Sequence, residues 1–296
     1  MPAGMEGNGA ALGLALAQAA RPPARLSGRQ DRGPKTARGF LFTVLGEFVL
    51  PSGGMAWTCA IIDVLGRMGV EEKATRQALM RTAADGWLSA ERAGRRTCWR
   101  LTASAEQLLT EGTERIYGFT AGRRAWDGTW LLVLARVPES DRSARHQLRT
   151  RLTWAGFGSP APGVWLSPDT SRQAEAERVL ANAGLLADSQ IFRAEHASGG
   201  RLADMAREAW DLDQIEERYE EFIADFAGPD CADALPRLIE LVHRWRRFPW
   251  IDPVLPPELL PDPWCGSVAA RLFAERHAAL APGATAEWQR IMQASS

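Results

Sequence analysis

The sequence predicts a multidomain α+β protein with an N-terminal winged helix-turn-helix, a middle ferredoxin-like α+β domain and a C-terminal helical domain. Three observations lead to this prediction. Residues 55–101 have the order helix, turn, helix, strand and strand, residues 130–194 alternate strands with helices, and the chain after residue 202 has helical spacing. With 296 residues, the chain is long enough for two or three hydrophobic cores.

The second helix of the N-terminal part, predicted over residues 71–84, has two unlike faces. At about 100° per residue, Ala78 and Leu79 fall on a small, apolar face that suits a protein core. The opposite face carries polar and basic side chains and one methionine: Lys73, Arg76, Gln77, Met80 and Arg81. Gly69 and Gly86 flank the helix at places where a turn and a helix end favour positive φ.

A hairpin with a basic tip follows this helix. Its return strand, residues 97–101, alternates polar and apolar residues, as expected of a half-buried strand. The tip carries three arginines: Arg92, Arg95 and Arg96. Arg and Gln on a helix suit base edges in the DNA major groove, and hairpin arginines suit phosphates or the minor groove. Alternatively, the helix cations only solvate an amphipathic helix, but the adjacent basic hairpin favours nucleic acid.

Charge is distributed unevenly along the chain, although the net charge is only −1. Residues 38–101 contain nine basic residues (Lys and Arg) and six acidic residues (Asp and Glu). Residues 200–296 contain ten basic and seventeen acidic residues. We therefore expect only the N-terminal part of the protein to attract a polyanion.

Cysteine and hydropathy patterns predict a cytoplasmic protein without a membrane segment. Cys59, Cys98, Cys231 and Cys265 lack the paired short spacing of a zinc finger or a disulfide framework. The sequence has no run of the ~18 apolar residues that a membrane helix needs. Residues 10–20 imitate the apolar core of a secretory signal, but the segment before them carries no positive charge, so we expect no export.

The middle of the chain is predicted to alternate strands and helices. The expected elements are strands at residues 130–137, 164–167 and 190–194 and helices at residues 142–154 and 173–183. This order indicates a small ferredoxin-like domain. One more strand is expected near residues 155–159.

The C-terminal part is predicted to be helical and acidic, with a last helix over residues 268–280. A proline-rich segment, residues 248–266, is expected to contain no helix and to lie against the protein as a structural strap or as one wall of a pocket. A basic and aromatic cluster stands beside it: His243, Arg244, Arg246, Arg247 and Trp250. Two roles stay open for this cluster, neutralisation of nearby carboxylates at a helix end and ligand binding.

Five ordered blocks of the sequence resemble the PaaX-type repressors of phenylacetate catabolism. The blocks are RGFLFTVLGEFVLPSGGMAW, EEKATRQALMRTAADGWLSAERAGRRTCWRLT, WDGTWLLVLARVPE, WAGFGSPAPGVWLSP and HRWRRFPWIDPVLPPELLPDPWCG. The resemblance extends over about residues 38–282. It implies a bacterial homodimer that represses transcription from double-stranded operator DNA and is released by phenylacetyl-coenzyme A, with no cofactor besides this acyl-coenzyme A effector.

The resemblance also suggests roles for the candidate residues. Lys73, Arg76, Gln77 and Arg81 would form the reading helix, and Arg92, Arg95 and Arg96 the wing. No effector-contacting position carries over from the family, so chemistry alone suggests the effector site. Coenzyme A brings phosphates and adenine, which suit basic side chains beside aromatic rings, and the cluster from His243 to Trp250 has both.

We therefore expect four segments along the chain. They are a flexible arm (1–36), a winged-helix DNA-binding domain with a linker helix (37–121), a ferredoxin-like domain (122–200) and a helical effector and dimerisation domain (201–296).

An enzyme is the rival class of function. The middle domain is similar in shape to small CRISPR-associated endonucleases, which hold a metal with an aspartate at the end of the first strand. Here no carboxylate follows Leu134 before Glu139, so a metal-dependent nuclease is disfavoured and we expect neither catalysis nor a metal site. A regulator of the same fold with another inducer, or an activator, stays open.

Overall fold

The computed structural model describes residues 36–119, 126–137, 141–228 and 233–296. Apart from Thr36, the arm expected over residues 1–36 lies outside these ranges. The architecture is mixed α+β with two antiparallel sheets, which confirms the predicted class at this level. Contacts divide the described residues into two compact units: the first unit takes those within 1–119, 226–247 and 271–296, and the second unit takes those within 120–225 and 248–270.

The first unit begins with a helical segment and a three-stranded sheet. Its N-terminal elements are α1 (Ala37–Val44), a π-helical turn (Leu45–Val49), β1 (Met55–Trp57), α2 (Thr58–Arg67), α3 (Glu72–Ala84), β2 (Leu88–Ala93), β3 (Arg96–Leu101) and α4 (Ala103–Gly118). Strand β3 pairs with both β1 and β2. The prediction of a helix from Met55 was wrong at its start, because Met55 pairs with Arg100 in the sheet and α2 begins at Thr58.

Helix α1 and the π-helical turn after it supply apolar side chains to the core of this unit. The side chains of Phe40, Leu41 and Phe48 are almost fully buried. Helix α9 (Ala234–Trp245) and the C-terminal part of α11 (Cys265–Ser295) complete the same core. The ring of Trp245 stacks on Phe273 with centroids 4.7 Å apart, and Trp288 lies 5.7 Å from Phe48.

An arginine of α2 joins three elements of the first unit. The guanidinium of Arg67 lies 3.1 Å from carboxylate oxygens of Asp63, Asp233 and Glu287. Asp63 belongs to α2, Asp233 precedes α9 and Glu287 belongs to α11, so the contacts connect the N-terminal and C-terminal helices of this unit. Burial opposes the charge of Arg67, but hydrogen bonds to Asp63 and Glu287 outweigh it and raise the pKa of Arg67.

The second unit contains a four-stranded sheet with the order β5-β6-β4-β7. Its elements are β4 (Thr129–Ala135), α5 (Arg142–Trp154), β5 (Gly158–Ala161), β6 (Val164–Ser167), α6 (Gln173–Asn182), β7 (Ser189–Glu195), α7 (Leu202–Ala209), α8 (Leu212–Phe226) and α10 (Phe248–Ile251). The extra strand expected before the Pro162 turn is present as β5. One sheet face forms a core with α5 and α6, in which Leu131, Val133, Leu152 and Leu180 are buried.

The C-terminal helices differ from the prediction in two ways. The proline-rich segment was expected to contain no helix, yet Phe248–Ile251 forms one turn, and Pro249 is tolerated there because it lies in the first turn. Helix α11 extends over Cys265–Ser295 with Pro282 inside it, well beyond the predicted residues 268–280. Burial of Trp288 and Ile291 after the proline offsets the hydrogen bond that Pro282 removes.

Candidate nucleic-acid interface

Helix α3 has one buried face and one exposed face, as its sequence predicts. Thr75, Ala78, Leu79 and Thr82 are buried towards α1 and α2. The buried hydroxyl of Thr82 donates to the Ala78 carbonyl oxygen at 2.7 Å, so this polar group is satisfied within the helix. Small buried residues let α3 approach its neighbours closely and leave its long side chains on the outer face.

All eight side chains proposed to contact DNA are exposed. They are Lys73, Arg76, Gln77, Met80 and Arg81 on α3, and Arg92, Arg95 and Arg96 at the end of the β2–β3 hairpin. The six residues that border one open hollow on the outer face of α3 are Glu72, Lys73, Arg76, Gln77, Met80 and Arg81. Helix and hairpin belong to the same compact unit.

Two cations near α3 are paired with carboxylates. Arg76 Nη2 lies 2.7 Å from Glu72 one turn earlier, and both side chains are exposed. Arg38 Nη2 lies 2.5 Å from Asp85, the residue that caps the C-terminal end of α3. No ion pair of Lys73 or Arg81 is found within the described ranges, so their charges are available to an external anion.

The hairpin presents its arginines around a tight turn. Ala93 pairs with Arg96, and Gly94 between them has a φ of 63°, which glycine adopts without strain. On the adjoining strands, Arg100 Nε lies 2.9 Å from Glu91, and this hydrogen bond lowers the pKa of the Glu91 carboxyl. Among the residues that the structure describes, Arg92 and Arg95 have no such carboxylate.

Arg96 differs from the other hairpin arginines because the protein itself supplies its acceptors. Its Nη1 donates to the backbone carbonyl oxygen of Ser295 at 3.1 Å and also contacts that of Ser296. These carbonyls stand at the C-terminal end of α11, where a helix favours a positive charge. Arg96 therefore has a structural contact that its place in the sequence does not indicate.

The residues of the basic and aromatic cluster belong to two different units of the chain. His243 and Arg244 lie in the last turn of α9, Arg246 and Arg247 follow in the first unit, and Trp250 belongs to α10 in the second unit. All five side chains are half-buried.

Two residues of this cluster bind helix α1. His243 Nδ1 lies 3.2 Å from the Thr43 hydroxyl, and its ring lies 4.4 Å from that of Phe40. Arg246 Nη2 donates to the Gly39 carbonyl oxygen at 3.2 Å. Burial, with a smaller contribution from the charge of Arg247, lowers the pKa of Arg246 to about 10.

Sequence reasoning missed the acidic residues of the interface. Glu72 and Glu91 hold Arg76 and Arg100 in the free protein, and Arg100 itself was not among the candidates. The i,i+4 spacing of Glu72 and Arg76 was a readable signal. Pairing of Glu91 with Arg100 depends on the hairpin register, which the sequence alone did not specify.

The described residues offer neither a metal-binding group nor a membrane helix. Within them, no three His, Cys, Asp or Glu side chains gather as a metal-binding group. Strand β4 ends at Ala135 without a carboxylate, and Glu139 lies outside the described ranges. As far as the structure describes the chain, its helices are too short or too polar to span a bilayer.

Comparisons with known proteins match most of the chain. Three family models match in order: "PaaX-like protein" over residues 36–105, "PaaX protein central Cas2-like domain" over 123–206 and "PaaX-like protein C-terminal domain" over 210–290. The transcriptional repressor PaaX of Escherichia coli (strain K12) is 31% identical over 267 residues, which cover 86% of this chain and 83% of that protein.

A solved structure gives the same picture at the level of the fold. The uncharacterized protein Rv0674 from Mycobacterium tuberculosis superimposes with a TM-score of 0.59 and 24% identity, covering 86% of this chain and 99% of that one. The ordered family models and the similarity to the Escherichia coli repressor establish that the chain belongs to the PaaX family.

Proposed function

We propose that this protein is a transcriptional repressor that binds operator DNA with α3 and the β2–β3 hairpin. The function of its Escherichia coli relative, a transcriptional repressor, supports this proposal. The observation that carries it is the exposed outer face of α3, where Lys73 and Arg81 flank Gln77 beside a hairpin with basic residues. In this proposal α2, α3 and the hairpin form a winged helix-turn-helix, with α3 in the major groove and the hairpin on the backbone or in the minor groove.

The second unit is proposed to contain a ferredoxin-like domain. Its support is the order of β4, α5, β5, β6, α6 and β7, with both helices on one face of an antiparallel sheet. We propose a regulatory role for this domain instead of a nuclease role, because β4 ends without the carboxylate that a metal site needs.

The effector is proposed to be an acyl-coenzyme A such as phenylacetyl-coenzyme A. The support is the family resemblance, together with the density of basic side chains from His243 to Arg247. Through His243 and Arg246 this segment also contacts α1, the helix that packs against α3. An effector bound at this segment would therefore lie one helix away from α3, and a coupling of about 1–3 kcal/mol per site would be ordinary. Another inducer on the same scaffold is the alternative.

A homodimer is proposed because one reading helix covers only a few base pairs. Two copies would place two α3 helices on a pseudo-palindromic operator, with half-sites about one turn or a multiple of a turn apart.

The DNA-binding proposal is tested by binding measurements on selected duplexes. The full chain is used to select duplexes from a random library, and Kd is measured at several salt concentrations. Arg76→Ala is expected to lose discrimination between selected and random duplexes, whereas Arg95→Ala should weaken both and lower the salt slope by about one. Arg149→Ala, which removes an exposed arginine of the second unit, is the matched control. Parent-like binding by both interface variants would contradict the proposal.

The effector proposal is tested on the same complex. Phenylacetyl-coenzyme A is expected to release the DNA, while coenzyme A and phenylacetate alone should not. The double variant Arg246→Ala and Arg247→Ala should bind DNA like the parent and need more effector for release. Release at the parent's effector concentration would assign the two arginines a structural role only.

A further inference from the structure

We propose that Met80 recognises a thymine of the operator by packing against its 5-methyl group, beside the base that Gln77 contacts. This inference rests on the proposed DNA-binding function and adds the base composition that the helix reads.

The exposure of Met80 is the first observation. It is 63% exposed, the highest value among the large apolar side chains that the structure describes, and the next is Trp154 at 48%. The neighbouring apolar residue Leu79 is fully buried, so α3 turns one apolar side chain into the core and presents Met80 outward. Single exposed apolar residues are common on protein surfaces, so exposure alone does not indicate a binding role. The residues around Met80 give the second observation.

Those surroundings are polar and mostly charged. The other residues that border the same hollow are Glu72, Lys73, Arg76, Gln77 and Arg81. Met80 lies one helical turn after Gln77 and Arg76, on the same face. Met80 is thus one apolar group among side chains that form hydrogen bonds. Such a surface is complementary to a partner that is mostly polar and has one projecting apolar group. Methionine is unbranched and polarisable, so it adapts to such a projection without a preformed cavity.

The major groove of DNA has this composition. Its base edges offer donors and acceptors, and its apolar group is the thymine 5-methyl. Gln pairs with adenine through two hydrogen bonds, and each adenine is opposite a thymine. Gln77 and Met80 are about 4.5 Å apart along the helix axis and lie on the same face of α3. The two side chains therefore reach the same or adjacent base pairs.

Two cations flank the proposed thymine contact on α3. Lys73 and Arg81 are about 12 Å apart along the helix axis, and Gln77 lies midway between them. An A·T pair under Gln77, with a thymine within one pair of it, therefore falls at the centre of the contacted half-site.

The experiment removes one methyl group at a time. A duplex selected by the full chain is prepared with each thymine replaced in turn by deoxyuridine, which lacks only the 5-methyl. Kd is measured by fluorescence anisotropy for the parent and for Met80→Ala. Phe192→Ala, which truncates another exposed apolar side chain, is the control. Because Met80 is exposed, thermal unfolding of Met80→Ala should match that of the parent.

At one thymine of the half-site, deoxyuridine should weaken parent binding about four-fold, the equivalent of ~0.8 kcal/mol for one buried carbon group. The same replacement should change Met80→Ala binding less than about 1.5-fold, and the Phe192 variant should behave like the parent. Bromodeoxyuridine at that position should restore parent binding, because bromine fills the place of the methyl.

Failure of this inference differs from failure of the DNA-binding proposal. If Arg76→Ala and Arg81→Ala weaken binding but every deoxyuridine affects parent and Met80→Ala equally, or the half-site contains no thymine, only the role of Met80 is overturned. If those arginine variants bind DNA like the parent, both are overturned.

Discussion

Arg246 donates a hydrogen bond from Nη2 to the backbone carbonyl oxygen of Gly39, 3.2 Å away, although 207 residues separate the two in sequence. The same carbonyl accepts the Thr43 hydroxyl at 3.2 Å, and Thr43 in turn contacts His243. The C-terminal end of α9 is thus tied to the backbone of α1 within the first unit. This contact places the proposed effector segment one helix away from α3, the proposed reading helix.

The cost of removing Arg246 should depend on what replaces it. Its Nε is buried without a hydrogen-bond partner, so the charge carries a desolvation cost that Arg246→Met would remove while keeping the aliphatic packing. The free energy of unfolding should then change by less than about 1 kcal/mol, since Thr43 still satisfies the Gly39 carbonyl. Arg246→Ala also loses the packing and should cost about 1–3 kcal/mol. Urea unfolding measures both, with Arg247→Ala as control; equal losses for Met and Ala would contradict this account.

Alkaline stability should depend on Tyr117. Its hydroxyl donates to Glu47 Oε2 at 2.5 Å, and His277 Nε2 lies 2.7 Å from the other oxygen of Glu47. Burial first, then the charge and hydrogen bond of Glu47, raise the pKa of Tyr117 well above its ordinary value. The unfolded chain therefore loses this proton near pH 10 while the folded protein keeps it, so stability falls as the pH rises past 10.

Tyr117→Phe isolates this contribution because phenylalanine does not titrate. Between pH 8.5 and 10.5 the parent should lose about 0.8 kcal/mol more stability than the variant. Urea unfolding at the two pH values measures the difference. Identical pH dependence of parent and variant would show that Tyr117 also ionises normally in the folded protein.

The sequence predicts well those features that follow from one-sided burial. The two faces of α3 and the elements of the second unit could be recognised because apolar spacing records which side is buried. The partner of Arg96 could not, since its carbonyl acceptors come from residues 199 and 200 positions later and every residue type has a carbonyl. The sequence also did not predict that α11 continues past Pro282, because proline has a low helix propensity. Tertiary packing of the buried Trp288 stabilises the helix beyond that point.

Gly158 should tolerate no larger side chain. A Cβ at this position would overlap the indole ring of Trp210. The ring is held in place because Trp210 Nε1 donates to the Gly156 carbonyl oxygen at 3.2 Å. Gly158→Ala should therefore cost about 1–3 kcal/mol, the usual range for overpacking. The unfolding temperature should fall by about 2–4 °C for each kcal/mol.

Gly112→Ala is the matched control for this substitution. Gly112 lies inside α4, and a methyl group added there would meet no neighbouring atom within 4 Å, so alanine should stabilise the helix by about 0.5–1 kcal/mol. Opposite signs for the two Gly→Ala variants in a thermal scan are the expected result. A neutral Gly158→Ala would mean that Trp210 does not pack against β5 in solution.

Arg95 and Arg96 are neighbours on the hairpin, but they should contribute differently to DNA binding. Arg95 has no carboxylate partner within the described residues, so its charge is available to a phosphate. Arg96 already donates to the Ser295 carbonyl oxygen at 3.1 Å and would have to give up that contact.

Arg95→Ala should lower the salt slope of DNA binding by about one, and Arg96→Ala by less than half as much. Arg96→Ala should instead lower the unfolding temperature, because it frees the end of α11, whereas Arg95→Ala should leave that temperature unchanged. Anisotropy titrations at several salt concentrations, with thermal scans of both variants, give the two quantities. An equal loss of salt slope without any change in unfolding temperature would show that the contact between Arg96 and α11 does not persist in solution.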